Sequence, residues 1–499
     1  MSTPHYLLGY DIGSSSIKAS LMQADTGEVI GSATSPSQEL PMHAAQEGWA
    51  EQPPELWWEH LVKASQSLRS QYPEAMSRVK AIGIGYQMHG LVLVDKDQQV
   101  LRPSIIWCDS RAVPIGQRAW DGLGHEYCLS HFLNSPGNFT ASKLRWVQEN
   151  ETEVYERVYK LMLPGDYIAM KLTGEIQTTV SGLSEGILWD FQEKDVAHSL
   201  IKHYEFAPEF IPEIVPTFAE QGKLIPAVAN QLGLPSDAIV AYRAGDQPNN
   251  ALSLNVLQPG EVATTAGTSG VIYGISDRLE YDPQSRVNTF AHVNYTPDDP
   301  RYGILACVNG TGILNSWLKN NLLDHRLSYE EMNQRAGEVP VGSAGVIVLP
   351  FGNGAERTLG NVEIGAQIRG VEFNTHSYAH VLRAAQEGVV FALRYSFDIM
   401  QEMGLKISTV KAGEANMFLS PVFREAFANV MGIPVALYNT DGAAGAARGA
   451  GLGAGLFQNY DEAFAGLQKT RTIEPDKSLN SQYEDAYQRW LSVLKGTMS

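Results

Sequence analysis

The chain has 499 residues, 44% of them hydrophobic, and a formal net charge of −18. This length exceeds what one hydrophobic core serves, so we expect at least two domains, and the negative charge disfavours a nucleic-acid partner. No apolar stretch approaches the roughly 20 residues of a membrane span, the N-terminus does not resemble a signal peptide, and the three cysteines have no metal-ligand spacing. We therefore expect a cytoplasmic protein with no membrane association.

The first half is predicted to begin with a three-strand meander. The apolar run that ends at Asp11 is followed by a Gly/Ser turn, and two further strands alternate with turn residues. A helix with Trp57 and Trp58 on its buried face comes next, and Trp107 and Asp109 follow a later strand. Charged and aromatic groups at strand ends face a crevice in α/β folds. We predict strands over residues 6–11, 16–23, 28–33, 79–85, 91–95 and 104–108.

The second half repeats this plan, as an architectural repeat and not as a sequence repeat. Residues 442–455, rich in Gly and Ala, suit a helix that packs closely on its neighbours. Residues 142–199, first helical and then mixed in pattern, are interpreted as an insertion that covers the site. The other predicted elements are a hairpin over residues 262–275, strands over 302–308, 407–412 and 434–438, and a helix over 378–403.

Each half carries a hairpin suited to phosphate. Asp11 ends the first strand beside Gly13-Ser14-Ser15, so an acid for the water shell of Mg²⁺ lies next to N–H and O–H donors for ATP phosphates. An ordinary hairpin, in which Asp11 only satisfies backbone donors, is the alternative. The turn Gly267-Thr268-Ser269-Gly270 favours the phosphate interpretation, because Gly lets an anion approach the backbone closely. Two such hairpins are what a duplicated nucleotide-binding fold would have.

Asp246 lies in a tight turn, Ala244-Gly245-Asp246-Gln247-Pro248, shortly before the second hairpin. A P-loop enzyme is excluded, because no G-x-x-x-x-G-K-[ST] motif occurs. Residues 449–454 match a dinucleotide-binding pattern and residues 182–186 a nucleophile elbow, but neither has the strand and helix context that the motif needs. His89 is either a buried core histidine or a ligand contact, and its position after a strand end favours the contact.

Seven short motifs, taken together, resemble one known family. In chain order they are Asp11-Ile12-Gly13-Ser14-Ser15, Gln87-Met88-His89-Gly90, Trp107-Cys108-Asp109-Ser110-Arg111, Lys143-Leu144-Arg145-Trp146-Val147, Leu163-Pro164-Gly165-Asp166-Tyr167, Ala244-Gly245-Asp246 and Gly267-Thr268-Ser269-Gly270. Their order and spacing resemble the FGGY carbohydrate kinases over nearly the whole chain. Within that family, the run from Gln87 to Gly90 resembles the branch that acts on D-xylulose.

The resemblance implies an α/β protein with the actin/hexokinase/Hsp70-like ATPase fold, in which two ribonuclease-H-like domains enclose a cleft for ATP and sugar. The domains are expected over residues 1–243 and 244–499. Asp246 is implied as the catalytic base, and Asp246 and Asp11 as ligands of Mg²⁺. Implied sugar contacts are Gln87, Met88, His89, Trp107, Asp109, Asp246 and Gln247. Implied ATP contacts are Asp11, Gly13, Ser14, Ser15, Lys18, Gly267, Thr268, Gly312, Ala412 and Gly413.

Three positions depart from the family pattern. Gln247 and Cys108 stand where the family has asparagines, and Lys411-Ala412 stands where it has a glycine pair. The expected activity is ATP-dependent phosphorylation of a ketopentose, D-xylulose at O5. Sibling kinases of ribulose, gluconate, glycerol or another polyol, and a non-catalytic sugar and nucleotide sensor, remain as alternatives. The expected partners are the sugar and ATP, and a homodimer is the assembly considered.

Overall fold

The computed structural model describes residues 4–498. Its strands are β1 (Tyr6–Ile12), β2 (Ile17–Gln23), β3 (Glu28–Ser35), β4 (Glu51–Gln52), β5 (Val79–Tyr86), β6 (Val92–Val94), β7 (Ser104–Ile105), β8 (Lys160–Met162), β9 (Gln177–Thr178), β10 (Trp189–Asp190), β11 (Asp195–Val196), β12 (Glu213–Ile214), β13 (Ile239–Gly245), β14 (Glu261–Ala266), β15 (Gly270–Ser276), β16 (Asn288–Ala291), β17 (Tyr302–Val308), β18 (Ile347–Phe351), β19 (Gly365–Arg369), β20 (Thr409–Gly413), β21 (Val435–Tyr438) and β22 (Lys469–Ile473).

The α-helices cover both faces of the larger sheets. They are α1 (Pro54–Gln71), α2 (Pro73–Met76), α3 (Val113–Leu123), α4 (His125–Phe132), α5 (Thr140–Asn150), α6 (Thr152–Tyr155), α7 (Pro164–Thr173), α8 (Val180–Glu185), α9 (His198–Tyr204), α10 (Pro226–Leu232), α11 (Asp246–Ser253), α12 (Gly312–Trp317), α13 (Tyr329–Gly337), α14 (Tyr378–Glu402), α15 (Pro421–Met431), α16 (Gly442–Gly453), α17 (Tyr460–Phe464) and α18 (Asn480–Met498).

Two sheets share one topology. In the first sheet the order is β13-β5-β1-β2-β3, with β1, β2 and β3 antiparallel and β5 and β13 parallel to β1. In the second sheet the order β21-β20-β14-β15-β17 repeats this plan, with β16 and β22 added at the two edges. The architectural repeat predicted from the sequence is therefore confirmed. Because β1 and β14 occupy equivalent places, the hairpin after each opens toward the same central cleft.

Helix α16 links the two halves, because it belongs to the second half and lies on the first sheet. A Cβ placed on Gly9 of β1 would lie 1.9 Å from the carbonyl oxygen of Ala443, and one on Gly83 of β5 would lie 1.9 Å from that of Ala446. Only glycine in the strands permits so close an approach. The close-packed helix expected over residues 442–455 is confirmed, and its N-terminus lies beside Asp11.

The segment after β7 is less sheet-like than expected. The strand predicted over residues 104–108 ends at Ile105, so Trp107 and Cys108 lie in a turn. Residues 142–199, which were expected to be an insertion that covers the site, are not a separate unit. Their helices α5 and α8 pack into one apolar core with residues of the second half. The side chain of Ser181 donates to the Ala291 carbonyl at 3.0 Å across that contact.

The boundary expected between residues 243 and 244 falls inside β13, which runs to Gly245. The second sheet begins at Glu261, so α11 and the turn after it connect the two sheets. Among residues 4–498, no helix is both long enough and apolar enough to cross a membrane.

Candidate active site

A cleft of about 560 Å³ lies between the two sheets, at the ends of β5, β13, β14 and β20. Residues of both halves line it, as expected for a ligand enclosed between two domains. The first half contributes Met88, His89 and Trp107. Residues of the connection and of the second half complete the lining: Asp246, Gln247, Asn250, Ser253, Leu254, Thr265, Ala266, Gly267, Ser269, Val271, Leu305, Cys307, Asn309, Gly413, Ala415, Asn416, Phe418, Thr440, Asp441 and Gly442.

Asp246 is the first residue of α11 and directly follows β13. A carboxylate in the first turn of a helix is stabilised by the helix dipole and is held in a fixed direction. Burial, and second to it the negative charge of Asp11, together raise the pKa of Asp246 to about 7, against hydrogen bonds from Gln247 that lower it. A carboxylate with this pKa changes protonation near neutral pH, which suits a general base.

Asp11 ends β1 and faces the N-terminus of α16. A Cβ placed on Gly442 would lie 2.4 Å from one of its carboxylate oxygens, so only glycine leaves room for Asp11 there. Burial and the nearby Asp441 raise the pKa of Asp11 to about 6, and Lys18 lowers it. Lys18 pairs with Asp441 at 2.5 Å, which connects the first hairpin to the second half. Lys18, which is predicted to lie near the ATP phosphates, therefore already has a carboxylate partner.

His89 has a positive φ of 61° and lies directly after Met88 in the cleft wall. Its Nδ1 is 2.9 Å from the carbonyl oxygen of Glu185, and because a carbonyl only accepts, Nδ1 donates and Nε2 is left as an acceptor. Burial lowers the pKa of His89 to about 3, with Lys143 adding to the effect, so the ring is neutral. Phe139 meets the ring edge-on with centroids 4.8 Å apart, which fixes its orientation.

Lys143 lies behind the cleft wall that carries His89. It is fully buried, and its Nζ donates to the carbonyls of His89 at 2.8 Å and of Ile106 at 3.0 Å. These two carbonyls belong to the segments that carry His89 and Trp107 into the cleft. Burial lowers the pKa of Lys143 to about 7. The lysine of the Lys143-Leu144 motif is thus a positioning group between two backbone segments.

Trp107 lies at the cleft mouth with 47% of its surface exposed. Its indole N–H donates to the Ser14 hydroxyl at 3.2 Å, so the turn after β7 is joined directly to the first hairpin. The Gly13 N–H donates to the Ser16 carbonyl at 3.1 Å and closes that hairpin. Gly13, Ser14, Ser15 and Lys18 stand beside the cleft and outside its lining.

The second hairpin turns at Gly267, and α12 begins against it. The Gly312 N–H donates to the Gly267 carbonyl at 2.9 Å, and the Ile313 N–H donates to the Thr268 carbonyl at 3.2 Å. A Cβ on Gly312 would lie 2.3 Å from the Gly267 carbonyl oxygen. Gly267 lines the cleft, whereas Thr268 is exposed beside it. Gly312 therefore supports the hairpin, and its implied contact with ATP stays a prediction.

Three other predicted contacts are buried away from the cleft. Asp109 is fully buried, and it accepts from the Ala50 N–H at 2.6 Å and from the Arg111 guanidinium at 2.7 Å, which uses its carboxylate in the fold. Gln87 is 2% exposed and Ala412 is 0% exposed, within β20. None of the three lines the cleft, and the carboxylate of Asp109 is already engaged by the fold, so their contacts with a ligand stay predictions. Gly413, the next residue after Ala412, does line the cleft.

Glu185 was missed in the sequence, where it lies inside the rejected nucleophile-elbow match. A Cβ placed on Gly245 would lie 2.7 Å from its Oε2 and 2.6 Å from Cγ of Met88, so its carboxyl group lies directly behind Asp246. Burial raises its pKa well above the ordinary value, and the charge of Asp246 adds to this. Asp441 was also missed. The only available signal for Glu185 was a single charge in the otherwise uncharged run of residues 176–189. For Asp441 the signal was an acid directly before a Gly/Ala-rich run, as at a helix N-cap.

The donor set of the cleft suits Mg²⁺. Among residues 4–498, no three Asp, Glu, His or Cys side chains are grouped closely enough to hold a metal ion by themselves. Asp11 and Asp246 are two carboxylates whose mutual repulsion raises the pKa of Asp246. Mg²⁺ commonly uses one or two carboxylates and completes its shell with water and nucleotide phosphates. These two residues fit that pattern.

Comparisons with known proteins agree with this geometry. Models of the N-terminal and C-terminal domains of the FGGY family of carbohydrate kinases match residues 6–253 and 262–455. The chain is 30% identical over 506 residues to a xylulose kinase of Klebsiella pneumoniae, covering 99% of this chain and 100% of the relative. It superimposes on the crystal structure of a "xyloylose kinase" from Brucella ovis with a TM-score of 0.89 at 27% identity, covering 99% of both chains. A gluconate kinase from Lactobacillus acidophilus gives the same TM-score of 0.89 at 22% identity, over 100% of this chain and 99% of the other, and shares the fold. The two-domain α/β architecture expected from the resemblance is confirmed.

Proposed function

The chain belongs to the FGGY family of carbohydrate kinases, and we propose that it transfers the γ-phosphoryl group of ATP to O5 of D-xylulose. One observation carries most weight for phosphoryl transfer. Asp246 lies in the cleft between the two halves, at the start of α11, with a pKa raised to about 7. The names of the xylulose kinase relatives support the choice of sugar.

In the proposed reaction, Asp246 accepts the proton of the attacking hydroxyl as its oxygen bonds to the γ-phosphorus. The bond from that phosphorus to the bridging oxygen of ADP breaks, and ADP leaves with the electron pair. Phosphoryl transfer depends on in-line positioning and charge stabilisation more than on covalent chemistry. A base at this position contributes about 10²–10⁴-fold to the rate.

The sugar is proposed to lie between Met88, His89, Trp107 and Asp246. Trp107 offers an indole face at the cleft mouth, and His89 offers Nε2 as a hydroxyl acceptor. The amide of Gln247 lies next to the base. A hydroxyl with the wrong configuration leaves such a buried acceptor unpaired, at a cost of about 1–3 kcal/mol.

ATP is proposed to lie across the two hairpins. The backbone around Gly267 and Ser269 lines the cleft directly, and the turn from Gly13 to Ser15 approaches from the first half. Thr268 and Lys18 flank these turns, and Gly413 is proposed to lie against the adenosine. Closure of the halves would bring the two hairpins onto the same phosphates and exclude water as an acceptor.

Asp11 and Asp246 are proposed to hold Mg²⁺ together with ATP. Bound there, the ion neutralises charge on the phosphate oxygens. Asp11 would be a carboxylate ligand toward the ion's water shell, and Asp246 would also face the acceptor hydroxyl. Lys18 stays engaged with Asp441, which keeps the first hairpin aligned with the N-terminus of α16.

The test is a coupled ADP-release assay with D-xylulose, D-ribulose, D-gluconate and glycerol, on the wild type and on Asp246→Asn. We expect kcat/KM to be highest for D-xylulose by at least about tenfold, as one or two unsatisfied polar groups would give. A higher value for another acceptor would replace D-xylulose by that sibling substrate. Absence of turnover on every acceptor, with MgATP binding intact, would contradict a kinase.

We further propose that the enzyme acts in the cytoplasm, where its ATP is available, as a homodimer. The second half exposes large apolar side chains: Phe373 has 96% of its surface exposed, and the exposed Trp317 and Ile368 line one recess. Light scattering of the wild type and of Phe373→Ser measures the mass. A monomeric wild type would refute the dimer.

A further inference from the structure

A second, polar recess of about 220 Å³ lies beside the cleft. Leu305, Cys307 and Asn309 line both cavities, so the recess adjoins the wall that β17 forms. Charged and amide side chains dominate the remainder of its lining, namely Arg286, Asn288, Glu356, Arg357 and Asn361. None of these five residues is part of the proposed kinase machinery.

Arg357 is the group in this recess that lacks a counter-charge. Its guanidinium donates to the carbonyl and hydroxyl oxygens of Ser285, each at 3.3 Å, and forms no ion pair with a carboxylate among residues 4–498. Arg286, by contrast, is paired with Asp282 at 2.9 Å. Burial lowers the pKa of Arg357 to about 10, so it is still charged at neutral pH. A partly buried cation without a partner is costly unless an anion joins it.

Two buried oxygens in the same recess also lack partners. Within residues 4–498, the side-chain oxygen of Asn288 and Oε2 of Glu356 have no hydrogen-bond partner, and both side chains are buried, with 9% and 1% of their surface exposed. The other carboxyl oxygen of Glu356 accepts from the Asn309 N–H at 2.9 Å. Because burial raises the pKa of Glu356 to about 8, this carboxyl group is largely neutral at pH 7 and does not cancel the charge of Arg357. Buried polar atoms in native proteins are nearly always paired, so these point to a bound group.

The groups in the recess that lack a counter-charge or a hydrogen-bond partner define one kind of ligand. Arg357 requires an oxyanion, and the Asn288 oxygen requires a hydrogen-bond donor such as a hydroxyl group. The protonated carboxyl of Glu356 supplies a donor of its own. We propose that the recess binds a small polyol that carries a carboxylate or a phosphate, that is, a sugar acid or a sugar phosphate.

This ligand would lie next to the acceptor site. The Phe139 ring meets His89 edge-on with centroids 4.8 Å apart, and its centroid lies 5.7 Å from the Arg357 guanidinium carbon. One aromatic ring therefore contacts both the cation of the recess and the histidine that is proposed to face the sugar. The proposal does not depend on D-xylulose being the substrate.

The proposal is tested by calorimetry in the absence of ATP. D-xylulose is present to occupy the acceptor site. The probes are D-gluconate, D-ribose 5-phosphate and uncharged xylitol, on the wild type and on Arg357→Gln, Arg357→Lys and Asn288→Asp. Arg335→Gln is the matched control, because Arg335 is an exposed helix residue with 49% of its side chain accessible. We expect the wild type, the control and Arg357→Lys to bind at least one anion and none of them to bind xylitol in the recess.

Arg357→Gln should weaken that binding at least about tenfold, the loss expected for one charge-assisted pair, and Asn288→Asp should weaken it by adding a negative charge. Binding of D-gluconate identifies the anionic group as a carboxylate, and binding of D-ribose 5-phosphate identifies it as a phosphate. Absence of anion binding by the wild type, or equal affinity in the wild type and Arg357→Gln, would overturn the proposal. If Arg357→Gln fails to fold, equal affinity in Asn288→Asp and the wild type would overturn it. Kinase turnover is measured separately, so loss of the proposed activity is distinguished from loss of this site.

Discussion

Replacing Asp11 by Asn should move the pH dependence of the reaction to lower pH. Burial is the larger cause that raises the pKa of Asp246 from 3.8 to about 7, and the negative charge of Asp11 is the second. The substitution removes the second cause and leaves the first. The pKa of the base in the variant should therefore lie below 7 and above 3.8.

The sign follows from the role of a base, which must be deprotonated to work. Below its pKa the active form falls about tenfold for each pH unit, so wild-type kcat/KM at pH 5 should be about one hundredth of its plateau. In Asp11→Asn the acidic limb should begin at a lower pH, although the plateau itself should fall because Mg²⁺ loses a ligand. The position of the limb and the height of the plateau therefore report on two separate effects.

The assay measures kcat/KM for D-xylulose from pH 5 to 9 at fixed free Mg²⁺, because kcat/KM reports the pKa values of the free enzyme. Asp237→Asn is the control, since Asp237 is 66% exposed and pairs with Lys80 on the surface. A wild-type profile that stays flat down to pH 5, or the same limb in Asp11→Asn as in the wild type, would refute the electrostatic reasoning.

Three further predictions concern chemistry, specificity and packing. Asp246→Asn should lower kcat by about 10²–10⁴-fold with an unchanged circular dichroism spectrum, and near-wild-type kcat would exclude Asp246 as the base. His89→Ala should lower kcat/KM for D-xylulose more than for D-ribulose or a pentitol, whereas an equal loss on all of them would make the histidine structural. Gly312→Ala should lower the unfolding free energy by about 1–3 kcal/mol and raise the KM for ATP, because its Cβ would meet the Gly267 carbonyl at 2.3 Å; an unchanged melting temperature and KM would contradict this.

Much of the fold was accessible from the sequence because strand and turn patterns repeat in each half. The meander after Tyr6 and the hairpin from Glu261 to Ser276 were recognised from alternating apolar runs and Gly/Ser/Thr turns. The close contact of α16 with β1 was partly visible in the Gly/Ala composition of residues 442–453. Composition did not tell which sheet the helix would cover, since that depends on contacts between distant parts of the chain.

The site was predicted best where a residue lies in a turn at the end of a strand. His89, Asp246 and Gly267 line the cleft for this reason. Asp109 also follows a strand, but its carboxylate is used by the Arg111 guanidinium and a backbone N–H, and only three-dimensional contacts reveal that competition. Glu185 approaches Gly245 from α8, across 60 residues of sequence, and no local pattern predicts such a meeting.

The charges of the cleft predict that ATP enters only as its magnesium complex. Asp11, Asp246 and Asp441 place three carboxyl groups around the phosphate end, and Lys18 neutralises one of them through its 2.5 Å ion pair. The remaining two carboxylates would repel the polyphosphate of ATP, most strongly after the domains close and exclude water, because Coulomb interactions strengthen as the dielectric falls. A divalent cation between those carboxylates and the phosphates reverses the sign of this interaction. The same pair that would hold the ion also raises the pKa of the base, so metal binding and proton acceptance at Asp246 must be coupled: the bound ion favours the charged carboxylate. MgATP would thus supply the phosphoryl group. It would also lower the pKa of Asp246, so that its carboxylate is deprotonated at neutral pH and can accept the sugar proton.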